Sequence, residues 1–266
     1  MVYLDTYDII SVIGIPIYTV FLACAISLLI KHGFANSSGW RYLIILALAR
    51  IIGFGLRLGL MNDPTNTSLW IGWMTVTGIG LGPLVLLLLG LLSRVFESIN
   101  RQGHVVLKPM YQRLIQLLVF VAIIVTIVGG TSSNFHVEDG SIKVDYATAS
   151  HVGVGLMIAA VALLCLETLI GFRNQGFVAQ GEHRILLGVV GSLPFVIARL
   201  VYSCVTVFAN VTSNRWLYLG LCILPEMIVV FIMEVLGFTL DKVPSVPKAD
   251  DSEALAPEQQ LHNWRR

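Results

Sequence analysis

The sequence predicts an all-α membrane protein, a polytopic bundle of seven transmembrane helices with its N-terminus outside or lumenal and its C-terminus in the cytosol. Two observations predict the bundle. Of the 266 residues, 56% are hydrophobic and only 12% are charged, and the mean hydropathy of +0.82 is far above that of a soluble domain. Seven apolar runs are each near the length that spans a bilayer: 9–30, 42–60, 69–93, 114–130, 151–172, 185–209 and 216–240.

A third observation, the distribution of positive charge, predicts the orientation. Twelve lysine and arginine residues lie on the predicted cytosolic side, whereas the other side has only Lys143 and Arg215. The first run is flanked by Asp5 and Asp8 and has no positive residue before it, so we interpret it as a retained helix rather than a signal peptide. Sequons at Asn66 and Asn210 fall on the outer side and are candidate glycosylation sites.

The seven runs leave room for one membrane domain, residues 1–240, followed by a short tail. Residues 241–266 have too little apolar content to fold alone and are predicted to be a disordered cytosolic tail. Residues 131–150 are interpreted as a solvated polar loop. The four cysteines fall in four different runs without the spacing of metal ligands, so we expect neither disulfides nor a cysteine metal site. No other metal site and no cofactor is predicted from the sequence.

Six charged side chains lie inside the spans, where an ionisable group usually has a partner or a function. Counting ~1.5 Å per residue from the cytosolic boundaries sorts them into two layers. The outer layer, roughly 22 to 24 Å deep, holds Arg57, Arg199 and Glu226. The cytosolic-half layer, about 9 to 13 Å deep, holds Glu167, Glu234 and Arg50. Each layer has one charge left over, and an unpaired buried ion costs free energy. One interpretation is that a polar or charged ligand balances the unpaired charge. The other is that the charges form structural ion pairs between helices.

The first interpretation gives these residues chemical roles. The candidate catalytic residues are the carboxylates Glu226, Glu234 and Glu167. Two glutamates that share one arginine can retain a proton, because like charges held close disfavour full ionisation. Glu234 or Glu167 is then the acid, and Glu226 is a base or a structural anchor. The candidate substrate-binding residues are Arg50, Arg57, Arg199 and Tyr202. Further hydroxyl groups that are expected near the same cavity belong to Tyr18, Thr19, Thr75, Thr77, Thr206 and Tyr218.

Short motifs along residues 1–240 carry a resemblance. They include Lys31-His32-Gly33-Phe34, Arg50-Ile51-Ile52-Gly53, Pro109-Met110-Tyr111, Arg184-Ile185-Leu186-Leu187 and Leu224-Pro225-Glu226. With these motifs the chain resembles a fungal family of seven-span integral membrane proteins of unknown function. The resemblance implies fold and topology but no chemistry. Arg50, Arg199 and Glu226 lie on matching motifs, whereas Glu234 does not.

The leading functional hypothesis is a membrane-embedded enzyme of fungal secondary metabolism that acts on a lipophilic substrate. In this terpene-cyclase-like scheme a buried carboxylic acid starts the cyclisation or isomerisation of an isoprenoid by protonation, which is an analogy with unrelated fungal proteins. The alternatives are a seven-helix receptor or sensor and a transporter of lipids or small molecules. The last span has no Asn-Pro-x-x-Tyr motif, no lysine lies in a span to hold retinal, and no internal repeat is visible.

The expected partners follow from the same hypothesis. They are membrane lipid, a lipophilic small-molecule substrate or ligand and biosynthetic partner enzymes, and we expect no nucleic acid. The expected location is the endoplasmic reticulum or another endomembrane, with the plasma membrane as the alternative.

Overall fold

A computed structural model describes residues 5–32, 39–101, 107–138, 141–178, 182–210 and 214–240. Seven of its helical segments are long and apolar enough to span a membrane, which confirms the predicted fold class. The helices are α1 (Thr6–His32), α2 (Trp40–Gly59), α3 (Thr67–Ile79), α4 (Leu81–Arg101), α5 (Pro109–Thr131), α6 (Thr148–Arg173), α7 (His183–Phe208), α8 (Arg215–Leu217) and α9 (Leu224–Thr239). The predicted tail, residues 241–266, lies outside the described residues.

Two of the spans are composite. The third consists of α3 and α4, which are separated by a break at Gly80. The last consists of α8, a π-helical turn over Tyr218–Ile223 and α9. Pro225 lies in the first turn of α9, where its missing N–H is tolerated. Because an odd number of spans puts the chain ends on opposite sides, we call the side where α1 begins the N-terminal side.

The core of the bundle is α4. Each residue from Leu84 to Leu89 is at most 1% exposed, and α4 packs against α2, α5, α6 and α7. A helix that is apolar on every face suits either a protein core or lipid, and α4 occupies the core. The outer helices instead expose apolar side chains, as α5 does with Leu114, Leu117 and Ile124. Such a belt is expected where lipid replaces water as the solvent.

Residues 131–150 are more structured than predicted. Strand β1 (Asn134–Glu138) pairs antiparallel with β2 (Ser141–Asp145), with Phe135 opposite Val144. The prediction of a polar loop was therefore too coarse. In the sequence, Phe135, Val137, Ile142 and Val144 alternate with polar residues on either side of Asp139-Gly140, a pattern that is typical of a hairpin.

A close backbone contact that depends on glycine joins α5 to α6. A Cβ on Gly129 would collide with the backbone nitrogen of Ser150 and lie 2.6 Å from its Cα. A Cβ on Gly153, in α6, would lie 2.6 Å from Thr126 Oγ1 in α5. Small residues at such crossings let the backbones of membrane helices approach each other.

We expect Gly129→Ala to lower the free energy of unfolding by about 1 to 3 kcal/mol, because backbone atoms cannot move aside for the added methyl group. Gly155→Ala is the matched control, since its Cβ would meet nothing within 4 Å. Unfolding by sodium dodecyl sulfate, followed by tryptophan fluorescence, measures both changes. Equal stability of the two variants would contradict the close contact.

Candidate functional site

Three side chains from three helices surround the carboxylate of Glu226, which lies on a fourth helix in the interior of the bundle. Arg50 Nε (α2) donates to Glu226 Oε1 (α9) at 2.5 Å, and Arg50 Nη2 pairs with Oε2. The Tyr18 hydroxyl (α1) donates to Oε1 at 3.0 Å, and Arg199 Nε (α7) lies 3.6 Å from Oε2. All four side chains are at most 3% exposed. We call Arg50, Arg199, Glu226 and Tyr18 the central ion cluster.

Its composition confirms the predicted layer of one arginine and corrects that of another. Arg199 and Glu226 lie at the same depth, as predicted. Arg50 was assigned to the other layer, and this was wrong because the helices do not start in one plane. The Trp40 ring packs on Gly237, so the first turn of α2 is level with a point inside α9. Counted from that contact, Arg50 and Glu226 are ten and eleven residues away, about 15 to 17 Å along each helix.

Arg57 belongs to a different cluster, on the N-terminal side. Its Nε is 3.1 Å from Asp8 Oδ1 and its Nη2 is 3.2 Å from Asp5 Oδ2. The guanidinium also lies 5.0 Å from the centre of the Tyr7 ring and 5.1 to 5.3 Å from two tryptophan rings, of Trp70 and Trp73. The sequence placed Arg57 in one layer with Glu226, but Arg57 pairs with the two aspartates instead. These aspartates were treated as a flank, whereas Asp8 is a buried part of α1.

The predicted cytosolic-half layer does not form around an arginine. Glu167 and Glu234 are 3% and 5% exposed, and Arg50 pairs with Glu226 instead. Within the described part of the chain, neither oxygen of Glu167 has a hydrogen-bond partner, and Oε1 of Glu234 has none. Their assignment as catalytic residues stays a prediction.

The break between α3 and α4 lies against the central ion cluster. A Cβ on Gly80 would lie 2.8 Å from Arg50 Nη2 and 3.1 Å from Glu226 Oε2, so only a glycine leaves room for the ion pair. The carbonyl of Thr77 lies in the last turn of α3, where helical carbonyls need outside donors. It accepts a hydrogen bond from Arg199 Nη2 at 2.5 Å.

A narrow, partly open pocket lies on the N-terminal side of this cluster, between α3, α5, α6 and α7. Its lining is mostly apolar with a band of hydroxyl groups, and consists of Trp73, Met74, Thr75, Thr77, Gly78, Leu81, Thr126, Gly130, Ser133, Tyr146, Ser150, Val154, Met157, Tyr202, Ser203, Thr206 and Val207. Arg199 connects pocket and cluster, because its Nη1 donates to Ser203 Oγ at 3.1 Å and its guanidinium lies 5.2 Å from the centre of the Tyr202 ring.

Four of the hydroxyl-bearing residues named from the sequence line this pocket: Thr75, Thr77, Tyr202 and Thr206. Three do not. Tyr18 binds Glu226, the Thr19 hydroxyl donates to the carbonyl of Ile15, and Tyr218 packs against Tyr7 and Trp73.

Sequence reasoning missed Ser203 and Tyr146. The position of Ser203 could have been predicted from the sequence, since it lies four residues after Arg199 on the same helix face. Tyr146 lies just before α6, outside the span, and burial raises the pKa of its phenol further above physiological pH.

The two candidate glycosylation sites occupy loops on the N-terminal side. Asn66 Oδ1 caps α3 by accepting a hydrogen bond from the Leu69 amide at 3.3 Å. Asn210 is exposed and has φ of 54°, a left-handed conformation that asparagine tolerates well. Modification of either residue stays a prediction.

Comparison with known proteins identifies a family. The model of a family described as a domain of unknown function (DUF7702) matches residues 4–243. No curated protein and no solved structure matches the chain.

Proposed function

We propose that this chain, which belongs to that family of unknown function, binds a lipophilic small molecule in the pocket between α3, α5, α6 and α7. The proposal is based on the geometry of this integral membrane protein itself. A single feature supports this function most directly. The pocket places an apolar wall and a band of hydroxyl groups against a buried arginine, and sites for small molecules typically combine these elements.

The central ion cluster supports the proposed function by holding helices in place. Glu226 is fully buried and is bonded to Arg50 and Tyr18, with Arg199 close by. A carboxylate with two cationic neighbours is held ionised and makes a poor proton donor. Glu226 therefore serves as the anchor that joins α1, α2, α7 and α9, in keeping with the structural role that the sequence allowed. Arg199 extends this anchor to the pocket, because it donates to Ser203 and to the carbonyl of Thr77.

The terpene-cyclase-like enzyme is the more specific candidate, and its acid would be Glu167 or Glu234. A general acid must come within hydrogen-bond reach of the atom that it protonates. Neither glutamate lines the pocket. We therefore propose ligand binding as the function, with a receptor, a transporter and a membrane enzyme as three ways in which a bound lipophilic molecule would be used.

Filling the pocket tests this function. We expect Gly78→Leu, which adds a side chain at a lining position, to reduce the amount of bound small molecule about tenfold, because the leucine occupies the space of the ligand. Gly155→Leu, on the lipid-exposed face of α6, is the control with the same added volume. The measurement is mass spectrometry of the organic extract from each protein, purified in lipid nanodiscs, relative to the extract of empty nanodiscs.

The expected result is a compound that is enriched with the wild type and with Gly155→Leu but depleted with Gly78→Leu. If the three extracts have the same composition as bulk membrane lipid, the pocket holds no specific ligand and the proposed function fails.

A further inference from the structure

We infer that the ligand of this pocket is a lipophilic carboxylic acid whose carboxylate binds at Ser203, in front of Arg199. The inference rests on the proposed function and specifies its ligand class. It depends on the hydrogen-bonding state of Ser203, on the charge of the central ion cluster and on the apolar character of the remaining lining.

The first step concerns the protons of the pocket hydroxyls. Thr126, Ser133 and Thr206 donate theirs to the carbonyls of residues four positions earlier in the chain, at 2.7 to 2.8 Å. Ser203 differs, because its Oγ accepts a hydrogen bond from Arg199 Nη1. A hydroxyl that accepts from a guanidinium keeps its own proton for another acceptor and is polarised as a donor. Ser203 therefore offers a strengthened donor to a ligand oxygen.

A second hydroxyl of the lining, that of Thr75, has no hydrogen-bond partner among the described residues. Thr75 is 8% exposed, and its Oγ1 makes no hydrogen bond to any described residue. Buried hydroxyl groups are nearly always hydrogen-bonded in native proteins. An oxygen-bearing ligand would satisfy Thr75 as well as Ser203.

The second step concerns charge. The central ion cluster contains two guanidinium groups and one carboxylate, a formal charge of +1. Among the described residues, neither Arg50 nor Arg199 has an ion pair with a second carboxylate. An uncompensated charge in a low-dielectric interior is costly, and one anionic group in the adjacent pocket would balance it. This favours a carboxylate over an alcohol or a ketone, which would satisfy Ser203 equally well.

The third step concerns the remainder of the ligand. Away from Ser203 the lining includes the apolar side chains of Trp73, Met74, Leu81, Val154 and Met157. Such walls accept a hydrocarbon chain or ring and provide no partner for a second charge. Arg199 is 0% exposed behind Ser203 and Thr77, so it acts through the Ser203 hydroxyl and through its charge.

Three probes with the same chain test the inference: dodecanoate, dodecanol and dodecylamine, titrated into the full-length protein in nanodiscs of neutral lipid. The readout is the change in intrinsic tryptophan fluorescence together with the shift in melting temperature, after subtraction of the signal from empty nanodiscs. We expect dodecanoate to bind at least tenfold more tightly than dodecanol, and dodecylamine to bind most weakly.

Ser203→Ala should weaken dodecanoate binding about tenfold and bring it close to that of dodecanol, because the donor to the carboxylate is lost. Ser192→Ala is the matched control: Ser192 is a fully buried serine of the same helix that does not line the pocket. It should bind dodecanoate as the wild type does, and both variants should unfold near the wild-type temperature.

The outcomes separate this inference from the function on which it rests. Equal affinities for the three probes, or an unchanged affinity in Ser203→Ala, would overturn the carboxylate assignment and leave the proposed pocket in place. The assignment also falls if the compound that depends on Gly78 in the extraction experiment lacks an acidic group. Failure of the proposed function is the separate result that no compound depends on Gly78.

Discussion

Replacing Glu226 by glutamine is expected to destabilise the folded protein by about 3 to 5 kcal/mol. The change leaves Arg50 and Arg199 buried without a counter-charge, and Tyr18 exchanges a charged acceptor for a neutral one. Breaking a buried ion pair from one side costs far more than the pair itself contributes, because the remaining ion stays desolvated. Unfolding by sodium dodecyl sulfate, followed by tryptophan fluorescence, measures the difference from the wild type.

Glu234→Gln is the matched control, since it changes a buried glutamate of the same helix that forms no ion pair with an arginine of the described ranges. We expect its effect on stability to stay below about 1 kcal/mol, because a neutral amide replaces a carboxyl whose Oε1 has no partner among the described residues. If the two variants lose the same stability, the central ion cluster is not the anchor of the bundle.

The contrast between these glutamates shows what the sequence can predict. Six isolated charges in seven apolar runs are visible without a structure, and so is the cost of burying each one. Counting residues gives the depth of each charge along its own helix, which placed Arg199 beside Glu226 correctly. It fails for Arg50 because the axial offset between α2 and α9 depends on contacts such as that of Trp40 with Gly237. Those contacts are set by side-chain shapes in three dimensions.

The pocket was harder to predict than the bundle for the same reason. Apolar runs predict helices because any helix of that composition is stable in lipid, whatever its neighbours. Whether a pocket forms between helices depends on how the side chains of several helices pack together. Thr75, Thr77 and Tyr202 were named from the sequence as polar residues within spans, but Tyr146 enters the pocket from outside a span, where depth counting does not apply.

Gly80 links the fold and the site, and its replacement by alanine is expected to cost about 2 to 4 kcal/mol. The backbone at Gly80 has φ of −52° and ψ of −28°, a helical conformation that suits alanine. On the backbone alone the change would stabilise the protein by roughly 0.4 to 1 kcal/mol. The expected loss therefore comes from the added methyl group, which would press on Arg50 Nη2 and Glu226 Oε2. Gly78→Ala is the control, because its Cβ would lie an ordinary 3.5 Å from the Thr126 methyl group.

A double-mutant cycle measures whether the stability lost in Gly80→Ala depends on the ion pair between Arg50 and Glu226. If the alanine at position 80 destabilises the protein by separating Arg50 from Glu226, its cost should shrink by at least half in the Glu226→Gln background, where the charged pair no longer exists. Both single variants and the double variant can be compared in the same detergent unfolding experiment. Additive losses would mean that Gly80 is needed only for the path of the chain between α3 and α4, and that the ion pair does not require the glycine.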